Sequence, residues 1–128
     1  MTRVTPVRFT TDVAAMRRFC VALGLEAELS SESGDWVSLR GTGGGVGLHS
    51  VATAETPRAP GGSELSFEAD EPLEALQARL EQAGFESTIV DESFGRSLRT
   101  IDPDGVEVQV FEPQTDLYGY RAEQADER

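Results

Sequence analysis

Few side chains in this sequence can carry chemistry. There is one histidine (His49), one cysteine (Cys20) and one tryptophan (Trp36), set among 23 acidic and 11 basic residues, and every basic residue is arginine. An imidazole can move a proton near neutral pH or ligate a divalent metal. A lone histidine on a short strand is more commonly a hydrogen-bonded structural residue, so His49 gains meaning only from its companions. Cys20 has no second thiol here, so neither a disulfide framework nor a thiolate metal cluster is expected. It falls on the apolar side of a helical pattern and reads as a buried, inert thiol. Arg96 and Arg99 flank a strand and could hold a carboxylate or phosphate. The plainer reading is surface charge balancing Asp91 and Glu92. Phe9, Trp36, Phe94 and Phe111 offer flat apolar surface, either as ordinary core or as walls for an organic ligand.

Charge narrows the choice of partner. The formal net charge is −12 and the sequence pI about 4.4. Such a chain repels phosphate backbones and anionic headgroups, so neither nucleic acid nor membrane is an expected partner. Its field favours a cationic or neutral small organic molecule, although scattered acidic charge also serves solubility alone. The absence of lysine reads as genomic base composition. The apolar fraction of 38% over 128 residues is that of one globular domain. Residues 1–6 lack the apolar run of a signal peptide, and no stretch is long enough to span a bilayer. The cytoplasm is the expected location.

The elements that must position these residues follow from periodicity. Residues 4–10 read as a strand with Val7 and Phe9 on one face. Thr11-Asp12 then cap an amphipathic helix whose apolar positions are Val13, Met16, Phe19, Cys20 and Leu23, ending at Gly24. Three short strands follow at 25–30, 36–40 and 46–51, with glycines between them. Residues 52–62 have two prolines, two glycines and no period, and read as a linker. The order then repeats: a strand at 63–69, a helix capped by Asp70 with Pro72 in its first turn and Leu73, Leu76, Leu80 and Ala83 on its apolar face, then Gly84 and strands at 85–90, 96–101 and 106–111. The last two are joined by the turn Asp102-Pro103-Asp104-Gly105. Gly24 and Gly84 are 60 residues apart, as are Gly45 and Gly105. The spacing predicts an α+β chain of two βαβββ modules, residues 4–51 and 63–113, whose sheet curves around a cleft with the helices on its outer face. Residues 114–128 read as a tail whose Leu117, Tyr118 and Tyr120 suit docking on another surface.

This order, with Asp12 at the first helix start, Asp102-Pro103-Asp104-Gly105 before the last strand and Phe111-Glu112-Pro113 ending it, resembles the vicinal-oxygen-chelate superfamily of glyoxalases, extradiol dioxygenases and bleomycin-resistance proteins. The resemblance covers residues 4–113 and treats residues 1–128 as one glyoxalase-like domain. It implies a metal-ligand quartet of cleft-facing residues. The family's spacing places three of these at Thr5, Glu64 and Gln109, and the 60-residue offset adds His49. His49 and Glu64 are competent ligands, Gln109 is weaker and Thr5 is poor, whereas a catalytic divalent site wants three strong donors. Metal binding by His49, Glu64 and Gln109 is therefore the alternative, and no cofactor is the expectation. The same face would carry Val7, Phe9, Ser66 and Phe111, with Trp36 and Phe94 near it. Arg8 falls at a core-facing position with no evident partner.

Three functions compete. The first is a metal-free protein that binds a cationic or amphipathic organic ligand, as the bleomycin-resistance branch does. The second is a metal-dependent lyase, isomerase or dioxygenase acting on vicinal oxygens. The third is an interaction module with a vestigial cleft. The resemblance also implies a homodimer.

Overall fold

The computed structural model describes residues 2–92, 95–112 and 120–122. In chain order the elements are β1 (Arg3–Val4), β2 (Val7–Thr10), α1 (Val13–Ala22), β3 (Glu26–Ser31), β4 (Trp36–Gly41), β5 (Gly44–Ser50), a 3-10 turn (Val51–Thr53), β6 (Ser63–Glu64), β7 (Ser66–Glu68), α2 (Leu73–Gln82), β8 (Ser87–Glu92), β9 (Gly95–Ile101), β10 (Glu107–Phe111) and β11 (Tyr120–Ala122). The chain forms two compact units, Thr5–Glu64 with Gly119–Arg128, and Met1–Val4 with Leu65–Tyr118.

In the Thr5–Glu64 unit the strand order is β11-β3-β4-β5-β2-β6. β3, β4 and β5 form an antiparallel meander, and β5 runs parallel to β2. That is one βαβββ module, with α1 as the crossover. Asp12 caps α1 as its sequence position suggests: its side chain accepts from the Ala15 amide at 3.0 Å. The helix lays Val13, Met16, Cys20 and Val21 onto Ala27, Val37, Leu39 and Leu48. Phe19 and Leu23, expected on this stripe, are instead 58% and 64% exposed. The sheet accepts a narrow strip of the helix, and these two positions fall outside it. Burial holds the Cys20 thiol above its ordinary range, in keeping with an unreactive side chain. Arg8 lies on this side of β2 and finds its partner at the neighbouring strand, where its Nε donates to Ser63 Oγ at 3.0 Å.

In the Leu65–Tyr118 unit the order is β1-β7-β10-β9-β8, again with the first and last strands of a βαβββ module, β7 and β10, paired in parallel. Leu73, Leu76 and Leu80 of α2 pack with Ala69, Leu98, Val110, Phe67 and Ile89. The helix starts later than Asp70 suggests. Pro72 is the N-cap residue, with no side-chain cap, and its carbonyl accepts from the Ala75 and Leu76 amides. A proline carbonyl can open a helix as well as any other, since only its missing N–H is unusual.

Both helices keep the 60-residue offset at both ends, Val13 to Leu73 and Ala22 to Gln82. Gly105 sits in the left-handed region at φ 83 inside a tight turn where Asp102 Oδ1 accepts from the Asp104 and Val106 amides. Its offset partner Gly45 does not share that task. It lies within β5, opposite Arg40. The first-half hairpin turns at Thr42-Gly43, whereas the second spans 102–106 between Ile101 and Glu107.

Candidate functional site

The turn before β4 fixes Trp36. Asp35 Oδ1 accepts from Ser31 Oγ at 2.7 Å and from Ser33 Oγ at 2.6 Å. Ser31 Oγ in turn accepts from the Trp36 amide at 3.1 Å. The Asp35 carbonyl accepts from the Ser50 amide at 2.9 Å, which ties this turn to the end of β5. The hydroxyls of Ser33 and Ser31 hold the Asp35 carboxyl below its ordinary value of 3.8. A group with a depressed folded pKa stabilises the fold above its unfolded pKa, and that contribution is lost as pH falls through the folded value. Asp35→Ala is therefore expected to cost about 1 kcal/mol at pH 7, roughly the worth of its hydrogen bonds at a half-buried site. In parallel denaturation series the gap from the parent should begin to close below pH 3.8. A gap that stays constant into strong acid would contradict this role.

From that anchor the Trp36 side chain crosses to β5. Trp36 lies opposite His49, and Phe9 lies opposite His49 from the other neighbouring strand. The Trp36 and His49 rings meet edge to face at 5.9 Å, and the Phe9 and His49 rings are 5.7 Å apart and tilted. Strand alternation puts this row on the face opposite Val37 and Leu48, which pack toward α1. Gly47 makes room for it. A Cβ on Gly47 would stand 2.1 Å from Trp36 Cη2, so the indole lies directly over this backbone. His49 Nδ1 is 2.8 Å from the Ser50 carbonyl. A carbonyl only accepts, so Nδ1 is the donor of this bond.

Glu64, on β6, lies opposite Val7 and shares this face by register. Its carboxylate is 2.9 Å from Arg58 Nη2. The Arg58 guanidinium carbon sits 5.2 Å from the centroid of the Phe9 ring. Five of the residues expected at a ligand site, Val7, Phe9, Trp36, His49 and Glu64, thus share one face of one unit. Arg58 and Gly47 join them and were not expected. Thr5 precedes β2 and is half-buried.

Ser66, Gln109 and Phe111 belong to the other unit. Gln109 lies opposite Ser66 and Arg99, and Phe111 lies opposite Glu68 and Ser97. By alternation with Val108 and Val110 they too occupy the face turned away from their helix. Arg99 pairs with Glu92, which also accepts from the buried Ser97 hydroxyl at 3.1 Å, and lies 3.6 Å from Glu107. Arg96 clamps Glu74 of α2 and Glu112, and both carboxylates hold its guanidinium charged. These arginines are occupied by carboxylates, in line with the charge-balancing reading, although Arg96 chooses Glu74 and Glu112 over Asp91. Phe94 lies outside the described residues.

As a metal centre the donor set fits poorly. Among the described residues no three His, Cys, Asp or Glu side chains gather as a ligand group. His49 Nε2 is a competent donor, but the Glu64 carboxylate is engaged by Arg58.

No protein-family model matches the sequence. No curated protein matches it either. Solved structures do. A glyoxalase/bleomycin resistance protein/dioxygenase superfamily member from Vibrio splendidus 12B01 aligns over 88% of this chain and 100% of its own, at 20% identity and TM-score 0.55. A protein described as an NAD-dependent benzaldehyde dehydrogenase from Legionella pneumophila aligns over 85% of this chain and 97% of its own, at 20% identity and TM-score 0.62. The 2,3-dioxygenase LapB from Pseudomonas sp. KL28 aligns over 88% of this chain but only 40% of its own, at 18% identity and TM-score 0.57. The chain therefore has the vicinal-oxygen-chelate fold, that of the glyoxalase, bleomycin-resistance and dioxygenase proteins. Likeness at these identities speaks for the fold alone, and a fold of this kind hosts several activities. No helix among the described residues is long and apolar enough to cross a membrane.

Proposed function

We propose that this protein binds a cationic or amphipathic small organic molecule, without a metal, on the face formed by Phe9, Trp36, His49 and Glu64. The observation that carries the reading is the row of three rings across neighbouring strands, ending beside a carboxylate. The aromatic rings supply apolar contact, and one carboxylate selects positive charge. The net charge of −12 adds long-range attraction for a cation. Calorimetry against a panel of cationic and aromatic metabolites tests the proposal. Saturable heat that disappears in Trp36→Ala is expected, and no heat from any compound would overturn it.

The rival reading is a metal-dependent lyase, isomerase or dioxygenase. Its support is the imidazole of His49, whose Nδ1 is taken by the Ser50 carbonyl and whose second ring nitrogen is the one available to a metal, and the dioxygenase among the structural neighbours. Elemental analysis separates the two: one equivalent of a divalent metal that is lost in His49→Ala would favour the enzyme. The acidic chain and its single buried thiol suit the cytoplasm. A homodimer, the assembly usual for such folds, is readable by sedimentation.

A further inference from the structure

Arg58 belongs to the linker, yet its side chain reaches back onto the ring row. Its guanidinium stands over Phe9 at 5.2 Å and pairs with Glu64 at 2.9 Å. A ring face with an adjacent carboxylate is the pair of features that recognises guanidinium and ammonium groups. The linker is pinned close by: the Gly61 amide donates to the Phe9 carbonyl at 2.8 Å, and the Phe9 amide donates to the Gly62 carbonyl at 2.9 Å. Residues 55–60, by contrast, are exposed, and the Arg58 side chain is itself 41% exposed. The arm can therefore swing away from the ring, and its departure uncovers Phe9, which is 7% exposed beneath it.

We infer that Phe9 and Glu64 form a cation subsite for the guanidinium or ammonium group of the ligand, and that Arg58 is a built-in competitor occupying it until that ligand arrives. The inference rests on the binding function proposed above. A tethered competitor lowers apparent affinity by the fraction of time it fills the site. Ion pairs this exposed are weak, so a ligand that brings both a cation and a ring for Trp36 and His49 can displace it. Arg58 thereby sets a threshold: small free cations lose to the arm, and aryl or alkyl cations win.

Benzylguanidine and its neutral isostere benzylurea test this, with Trp36 emission and calorimetry as readouts on the parent, Arg58→Ala, Arg58→Gln and Glu64→Gln. Benzylguanidine is expected to bind both Arg58 variants roughly tenfold more tightly than the parent, as removal of a competitor that fills the site about nine-tenths of the time requires. Glu64→Gln is expected to lose the preference for benzylguanidine over benzylurea. Equal or weaker binding to both Arg58 variants, while the parent binds the probe, would overturn the competitor and leave the binding function standing. An equal gain for benzylurea would overturn the cation subsite in favour of simple steric blocking. Binding to none of the four proteins would overturn the subsite and count against the function beneath it. Unchanged unfolding midpoints in the Arg58 variants separate these outcomes from misfolding.

Discussion

Leu48→Ala is expected to destabilise the Thr5–Glu64 unit by about 3 kcal/mol, in the middle of the range for a buried leucine truncated to alanine. Leu48 is fully buried and packs with Cys20, Val37 and Leu39 beneath α1. Its neighbours are backbone-paired in the middle of a six-stranded sheet, so the cavity has little freedom to collapse. Denaturant unfolding followed by Trp36 emission reports this unit, because Trp36 is the chain's only tryptophan and lies in β4. A loss below about 1 kcal/mol would mean that the site relaxes freely, contrary to a close-packed core.

The second large effect concerns the seat of the indole. Gly47→Ala places a methyl group where three Trp36 ring atoms stand within 3 Å. The indole must move or the strand must bend, at a cost of about 1–3 kcal/mol for an overpacked buried site. Because Trp36 would leave its contact with His49, ligand affinity should fall at least about tenfold, the scale of losing one aromatic anchor. The mechanism makes a sharper claim through a double-mutant cycle. In a Trp36→Ala background the added methyl meets no indole, so Gly47→Ala should cost much less there. A coupling energy of about 1 kcal/mol or more is expected, and additivity within about 0.5 kcal/mol would contradict the clash.

The fold was largely readable because periodicity reports which face of each element is apolar. The strands at 36–40, 96–101 and 106–111 and both helices lie within a residue or two of their expected bounds. Other features depend on contacts that a linear pattern does not carry. Phe19 and Leu23 share the helical period of Met16 and Cys20, and only the width of the sheet beneath decides which of them it covers. Gly45 ends a glycine-rich run between two strand candidates and so reads as the residue before a strand, but the first hairpin turns at Thr42-Gly43 and Gly45 already lies within β5. On the site, alternation puts Val7 and Phe9 on one face of β2, the family's spacing and the 60-residue offset supply Glu64 and His49, and the strand register lays all four on the face away from α1. Arg58 was hidden because a linker without periodicity gives no sign of where it folds back. Gly47 was hidden because a glycine inside a strand signals close approach without saying of what.

The claim on which the rest depends is that the ring row of Phe9, His49 and Trp36 is where a ligand sits. The chain has one indole and one imidazole, so the side-chain NMR signals of each are assigned without ambiguity. Titrating the full chain with each stabilising amphipathic cation while following the Trp36 indole N–H and the His49 ring resonances puts that claim to the test. Both sets of signals should shift along the same saturation curve. A compound that binds and stabilises the protein while leaving both unmoved would place the ligand elsewhere and contradict the account.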